Sequence, residues 1–148
     1  MYYLTIKIFR GRVLQLADEV KELLKYRFER AVETLEVAEF LYEAGKYRDS
    51  NNRSYYAAYY AMKAVYTTQG LDFKKHKTLI ANFNKEYVAT EIFPRTLGKK
   101  ISTLAIIREQ SDYNDFYVAS KQESLQQITI AKEFIQTVEA FLKVKGFL

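Results

Sequence analysis

The chain has 148 residues and a formal charge of +5, a length that suits one domain around one core. With no cysteine and one histidine, it can build neither a disulfide framework nor a His/Cys metal cluster, so neither a metal nor a cofactor is expected. Five glycines and one proline leave few chain breakers, which favours long helices and an all-α class.

At the N-terminus, Leu4, Ile6 and Ile8 alternate with Thr5, Lys7 and Phe9 in the period-two pattern of a strand. No second strand-like segment follows to pair with it. Residues 1–22 are therefore expected to form an arm outside a helical domain at 23–148. Lys7 interrupts the apolar run and no small-residue cleavage site follows, which argues against a signal peptide. No segment approaches the ~20 continuous apolar residues of a membrane span. The expected location is cytoplasmic, with no membrane partner.

From Leu14 to Ala44, Leu16, Val20, Leu23, Leu24, Phe28, Ala31, Leu35 and Ala38 recur at threes and fours, and a long helix is expected over about Leu24–Ala44. Gly45 suits its C-terminal stop. A second helix is expected over Asp49–Gln69, capped by Asp49 or Ser50. On it Arg53, Tyr56, Ala57, Tyr60 and Ala64 share one face, with Tyr55, Tyr59, Met62 and Tyr66 opposite, as in a central helix surrounded by neighbours. Lys74, Lys75, His76 and Lys77 then form a basic patch before a short helix over Lys77–Val88. Pro94 suits the first turn of a helix reaching Asp112. Ser120-Lys121-Gln122-Glu123 reads as a capping box for a last helix running to Val144, with Leu125, Ile128, Ala131, Val138 and Leu142 facing inward. The expected architecture is an antiparallel up-and-down four-helix bundle with an additional short helix.

Arg53, near a helix N-terminus, opposes the helix dipole, and Asp112 or an anionic ligand would offset that cost. Arg108, Asp112 and Asp115 stand at i, i+4 and i+7, on one face if the helix reaches that far. Adjacent bundle axes lie ~8–10 Å apart, within reach of arginine–carboxylate pairing, so Arg53, Tyr56, Arg108 and Asp112 are expected to converge.

Leu35…Ala38…Leu41…Gly45, then Arg53-Ser54-Tyr55-Tyr56-Ala57-Ala58-Tyr59-Tyr60-Ala61…Ala64, then Gly70…His76-Lys77, Phe83…Tyr87-Val88, Arg108…Asp112-Tyr113 and Ala131…Phe134 follow in order. This succession resembles the HEPN domain family, in its small stand-alone prokaryotic branch, over roughly Leu24 to Leu142. The resemblance implies a helical bundle that usually dimerises and binds nucleotide or RNA. Many such proteins are metal-independent ribonucleases, often toxins encoded beside a minimal nucleotidyltransferase antitoxin. Their motif is arginine, four to six residues, then histidine. Arg108 matches the arginine, but Tyr113 stands where histidine would complete the motif, and no histidine lies downstream. Arginine can stabilise a phosphate whose charge grows during attack by a ribose hydroxyl, but cleavage also calls for a proton carrier near neutral pH. Tyrosine, with its ordinary pKa near ~10, suits that poorly. The expectation is a homodimeric nucleotide- or RNA-binding protein with a nucleotidyltransferase partner. The alternatives are a ribonuclease in which Tyr113 or His76 replaces the usual histidine beside Arg108, and a structural dimerisation module. The expected binding residues are Arg53, Tyr56, Tyr60, His76, Lys77 and Asp112.

Overall fold

The computed structural model describes residues 2–148, with side chains from residue 16. Among the described residues it contains helices and no strand: α1 (Tyr2–Glu43), α2 (Tyr47–Thr67), α3 (His76–Phe83) continued by one π-helical turn (Asn84–Val88), α4 (Arg95–Tyr113) and α5 (Lys121–Val144). The expected all-α bundle is the observed one. α2 is its centre and packs against α1, α4, α5 and α3, while α1 also meets α5.

The alternating segment at the N-terminus is helical and continuous with the rest of α1. A lone strand has no ladder partner for its backbone, whereas a helix satisfies those groups within itself. Leu24, Phe28, Ala31, Leu35 and Ala38 are buried, but Leu16 and Leu23 face solvent, as does Leu125 on α5. The inward stripes expected from periodicity are therefore narrower than the apolar residues alone suggested.

α1 stops at Gly45, whose φ of 75° suits glycine, and the Gly45 and Lys46 amides donate back to the Tyr42 and Leu41 carbonyls. α2 starts at Tyr47, without a side-chain cap. The caps expected from Asp49 or Ser50 do not form: Ser50 is buried and donates to the Ala38 carbonyl, tying α2 to α1. Pro94 likewise precedes α4 rather than lying in its first turn. The capping box of α5 forms by half, with Ser120 Oγ accepting from the Glu123 amide while Glu123 Oε1 stays buried without a partner. Burial pushes the Glu123 carboxyl up.

α3 and its π-helical turn close one end of the core. Phe83, Phe93 and Phe134 are fully buried there, with Phe83 and Phe134 edge to face at 5.5 Å between centroids. Buried aromatics contribute large apolar area, at roughly 1.5–3 kcal/mol per fully buried phenylalanine. This cluster anchors α3, and His76 starts that helix.

Candidate functional site

α2 and α4 run antiparallel, and their polar contacts keep one register. Asn51 Nδ2 donates to Ser111 Oγ at 3.1 Å, Asn52 Nδ2 to Asp112 Oδ2 at 2.8 Å, and Arg108 Nη2 to the Tyr56 hydroxyl at 2.9 Å. Asn52 and Tyr56 are one turn apart on α2, and Asp112 and Arg108 are one turn apart on α4. Each helix thus offers matched polar groups on the same side. Behind them Asn51, 1% exposed, also accepts from Ser124 Oγ of α5 at 2.9 Å. Three helices are thereby pinned at the level of the site.

Arg108 is the hub. Its Nε lies 2.9 Å from Asp112 Oδ2, yet the N–H does not point along that line and counts as buried without a hydrogen-bond acceptor. The pair is therefore a charge contact rather than a directed hydrogen bond. The guanidinium stands 5.3 Å from the ring centroid of Tyr55, 5.2 Å from that of Tyr56 and 5.5 Å from that of Tyr113. Such contacts hold the cation without neutralising it, at ~0.5–2 kcal/mol each. Arg53 covers Tyr56 at 5.0 Å. Its expected carboxylate contact is replaced by a relay: Arg53 Nε donates to Asn52 Oδ1 at 2.8 Å, and Asn52 in turn donates to Asp112.

His76 arrives from the start of α3. Its Nδ1 lies 2.9 Å from the Tyr55 hydroxyl, and its ring stacks on Tyr59 at 4.4 Å. Burial pushes the Tyr55 hydroxyl up to about 12, so it remains a phenol. A donating phenol there requires the neutral imidazole to carry its proton on Nε2, and an accepting one requires it on Nδ1. Burial first, then the charges of Arg108 and Lys63, hold the His76 pKa below its ordinary value. Arg108 and His76 thus flank the same tyrosine pair, Tyr55 and Tyr56.

The structure brings together Arg53, Tyr56, Arg108, Asp112 and Tyr113, with His76 beside them. Tyr60 lies one turn along α2, its ring 6.4 Å from that of Tyr56. Lys77 is exposed next to His76 and joins none of these contacts. Asp115 falls in the loop after α4, because the helix ends at Tyr113, and does not share the Arg108 face. Sequence reasoning missed Asn51, Asn52, Ser111 and Arg48. The signal available was the Asn51-Asn52 pair, one turn before Tyr55 and Tyr56 on the same faces. Arg48 holds the loop after α4, donating to the Asn114 carbonyl at 2.8 Å and to the Tyr117 carbonyl. Among the described residues no cluster of His, Cys, Asp and Glu could hold a metal ion, and no helix is long and apolar enough to cross a membrane.

An all-α bundle with a tyrosine–alanine central helix facing an Arg-x3-Asp-Tyr turn defines the class of protein. The family model described as HEPN domain matches residues 24–141, and the chain belongs to that family. Among curated relatives, a "UPF0332 protein" of Thermotoga maritima is 29% identical over 85% of this chain and 96% of its own length. "Putative toxin MJ0605" of Methanocaldococcus jannaschii is 30% identical over 86% of this chain and 95% of its own length. "Putative toxin MJ0142" of the same organism is 27% identical over 94% of this chain and 93% of its own length.

Proposed function

We propose that this HEPN protein is toxin-like and binds the phosphate of RNA or a nucleotide at Arg108, acting as a homodimer with a minimal nucleotidyltransferase partner. The observation that carries the reading is the state of Arg108: a half-buried guanidinium held by one carboxylate, one phenol and three aromatic rings, its Nε buried against Asp112 and its Nη1 without a hydrogen bond among the described residues. A planar guanidinium with spare donors suits phosphate. Arg53 adds a second cation on the same tyrosine, and the names of the two archaeal relatives support the toxin-like part. The exposed Lys74, Lys75 and Lys77 add steering charge.

One observation favours ribonuclease activity as a second reading. His76 shares the Tyr55–Tyr56 pair with Arg108, its Nδ1 2.9 Å from the Tyr55 hydroxyl, and an imidazole, unlike a phenol, ordinarily exchanges protons near neutral pH.

Fluorescence anisotropy with labelled short RNAs across a salt series tests binding. Arg108→Ala is expected to abolish specific binding. Neutralising Lys74, Lys75 and Lys77 is expected to weaken it and flatten the salt slope. Cleavage of the bound RNA, lost in His76→Ala with binding retained, would favour the second reading. Equal affinity of wild type and Arg108→Ala would refute the site.

A further inference from the structure

Beside the Arg108 site, on the α1 side of α2, lies a cleft of about 400 Å³ lined by Arg30, Thr34, Val37, Phe40 and Arg53. Its size falls in the range of small-ligand sites. We infer that it is a second subsite, in which a single-stranded oligonucleotide continues from Arg108, so that the ligand is a strand rather than a mononucleotide. This inference rests on the phosphate-binding reading of Arg108.

Three arginines from three helices stand on neighbouring tyrosines of α2. Arg108 of α4 and Arg53 of α2 both cover Tyr56, at 5.2 and 5.0 Å, and Arg30 of α1 covers Tyr60 at 5.5 Å. The cations therefore follow one partly exposed strip across α2. Arg108 and Arg30 belong to helices on opposite sides of α2, and engaging both takes a ligand longer than one phosphate. Interleaved cations and aromatic faces are the ordinary means of holding a single strand without reading its sequence.

Both additional arginines are available to an anion. Arg53 makes its hydrogen bonds to the neutral amide oxygen of Asn52, and no carboxylate lies within ion-pair distance of it among the described residues. Arg30 meets Glu33 at 3.7 Å, with the two side chains 45% and 69% exposed, a contact that solvent screens to little.

The cleft is not uniformly basic. Glu33 and Glu36 of α1 also line it. They repel phosphate from the part of the α1 wall away from α2 and so confine the strand's backbone to the α2 edge of the cleft, where Arg53 stands and Arg30 reaches over Tyr60. The base side then faces α1. There, Phe40 is 73% exposed and Val37 46% exposed, an apolar surface on which a base can rest. The carboxylates can accept from exocyclic amino groups of a base.

The test is anisotropy and competition with the full chain, using uridine monophosphate and oligouridylates of two, four and eight nucleotides at several salt concentrations. Affinity is expected to rise with length between the mononucleotide and the octamer. Arg30→Gln and Arg53→Gln should each weaken the octamer and lower its salt slope by about 0.7, the value for one phosphate contact on a single strand. Arg30→Gln should not alter mononucleotide binding, whereas Arg53→Gln, on the same tyrosine as Arg108, should weaken both ligands. Phe40→Ala should weaken the octamer several-fold with the slope unchanged. Arg108→Ala should weaken every ligand. Circular dichroism and thermal melts of the variants confirm that these surface changes leave the fold intact.

An octamer that binds Arg30→Gln and Arg53→Gln as tightly as wild type, while Arg108→Ala still loses binding, would overturn the subsite and leave the Arg108 reading standing. Equal affinity for the mononucleotide and the octamer would do the same. Loss of any Arg108 dependence would overturn the underlying reading.

Discussion

Two buried polar residues three positions apart on α2 are expected to respond to alanine with opposite signs. Asn51 is 1% exposed and both donates to Ser111 Oγ at 3.1 Å and accepts from Ser124 Oγ at 2.9 Å. Asn51→Ala removes two neutral hydrogen bonds at ~0.5–1.5 kcal/mol each and leaves the buried Ser111 hydroxyl without that donor, at ~1–3 kcal/mol. Ser124 is partly spared, because it also donates to the Tyr47 carbonyl at 3.1 Å. Together these amount to a loss of about 2–6 kcal/mol, in the lower half of that range because Ser124 keeps a partner. Ser54, by contrast, is fully buried, and its hydroxyl has no partner. Ser54→Ala deletes an unpaid desolvation penalty and installs a better helix former, so stability should rise by ~0.5–1.5 kcal/mol. Urea unfolding monitored by circular dichroism resolves both, provided the slope m is unchanged. For a chain of this size a change of 1 kcal/mol moves the melting temperature by ~2–4 °C, so heating should order the variants the same way. An Asn51→Ala variant within ~0.5 kcal/mol of wild type, or a Ser54→Ala variant as damaged as Asn51→Ala, would refute the reasoning.

His76 is the single histidine, so its imidazole resonance can be titrated by NMR without assignment. Its folded pKa lies below the ordinary value, so the unfolded chain takes up the proton first. This stability contribution is therefore full above pH ~6.5 and is lost as pH falls through the folded pKa. Arg108→Ala removes one depressing charge and should move the titration upward; no movement would separate the two residues. Arg48→Ala should free the loop after α4, costing ~2 kcal/mol or less given its partial exposure, and speed proteolysis at Phe116, which is 95% exposed; an unchanged cleavage rate would count against Arg48 as its clamp. Asp112→Asn removes the one carboxylate paired to Arg108 and should tighten phosphate binding severalfold while lowering thermal stability. Weaker binding would instead make Asp112 a positioning residue for the guanidinium.

The helices were legible because each buries a stripe at helical spacing, and Gly45 ends α1 where a left-handed residue is needed. Their starts were less legible. Ser50 has the chemistry of a cap, but its hydroxyl gains more by satisfying the Ala38 carbonyl inside the core. That choice belongs to tertiary packing, which no local pattern encodes. Exposed Leu16, Leu23 and Leu125 mislead for the same reason, since periodicity shows which residues share a face and not whether a neighbour covers it.

The site was legible as a convergence of Arg53, Tyr56, Arg108 and Asp112, because two antiparallel helices repeat a polar pair at one-turn spacing. Its completion by His76 was not, since that residue is 32 positions from Arg108 in sequence and meets the same tyrosines only because Phe83 seats α3 against Tyr66 of α2 and Phe134 of α5. The local charge balance follows from this assembly. Among the described residues one carboxylate, Asp112, pairs with this group of Arg53, Arg108 and His76, through Arg108, while the remaining partners are neutral phenols and amides. Neutral partners orient a cation without cancelling its charge, and the half-buried setting weakens solvent screening. An arginine meant only to hold helices together would be served better by a second carboxylate, so the excess positive charge is what makes this corner of the bundle suited to an anion.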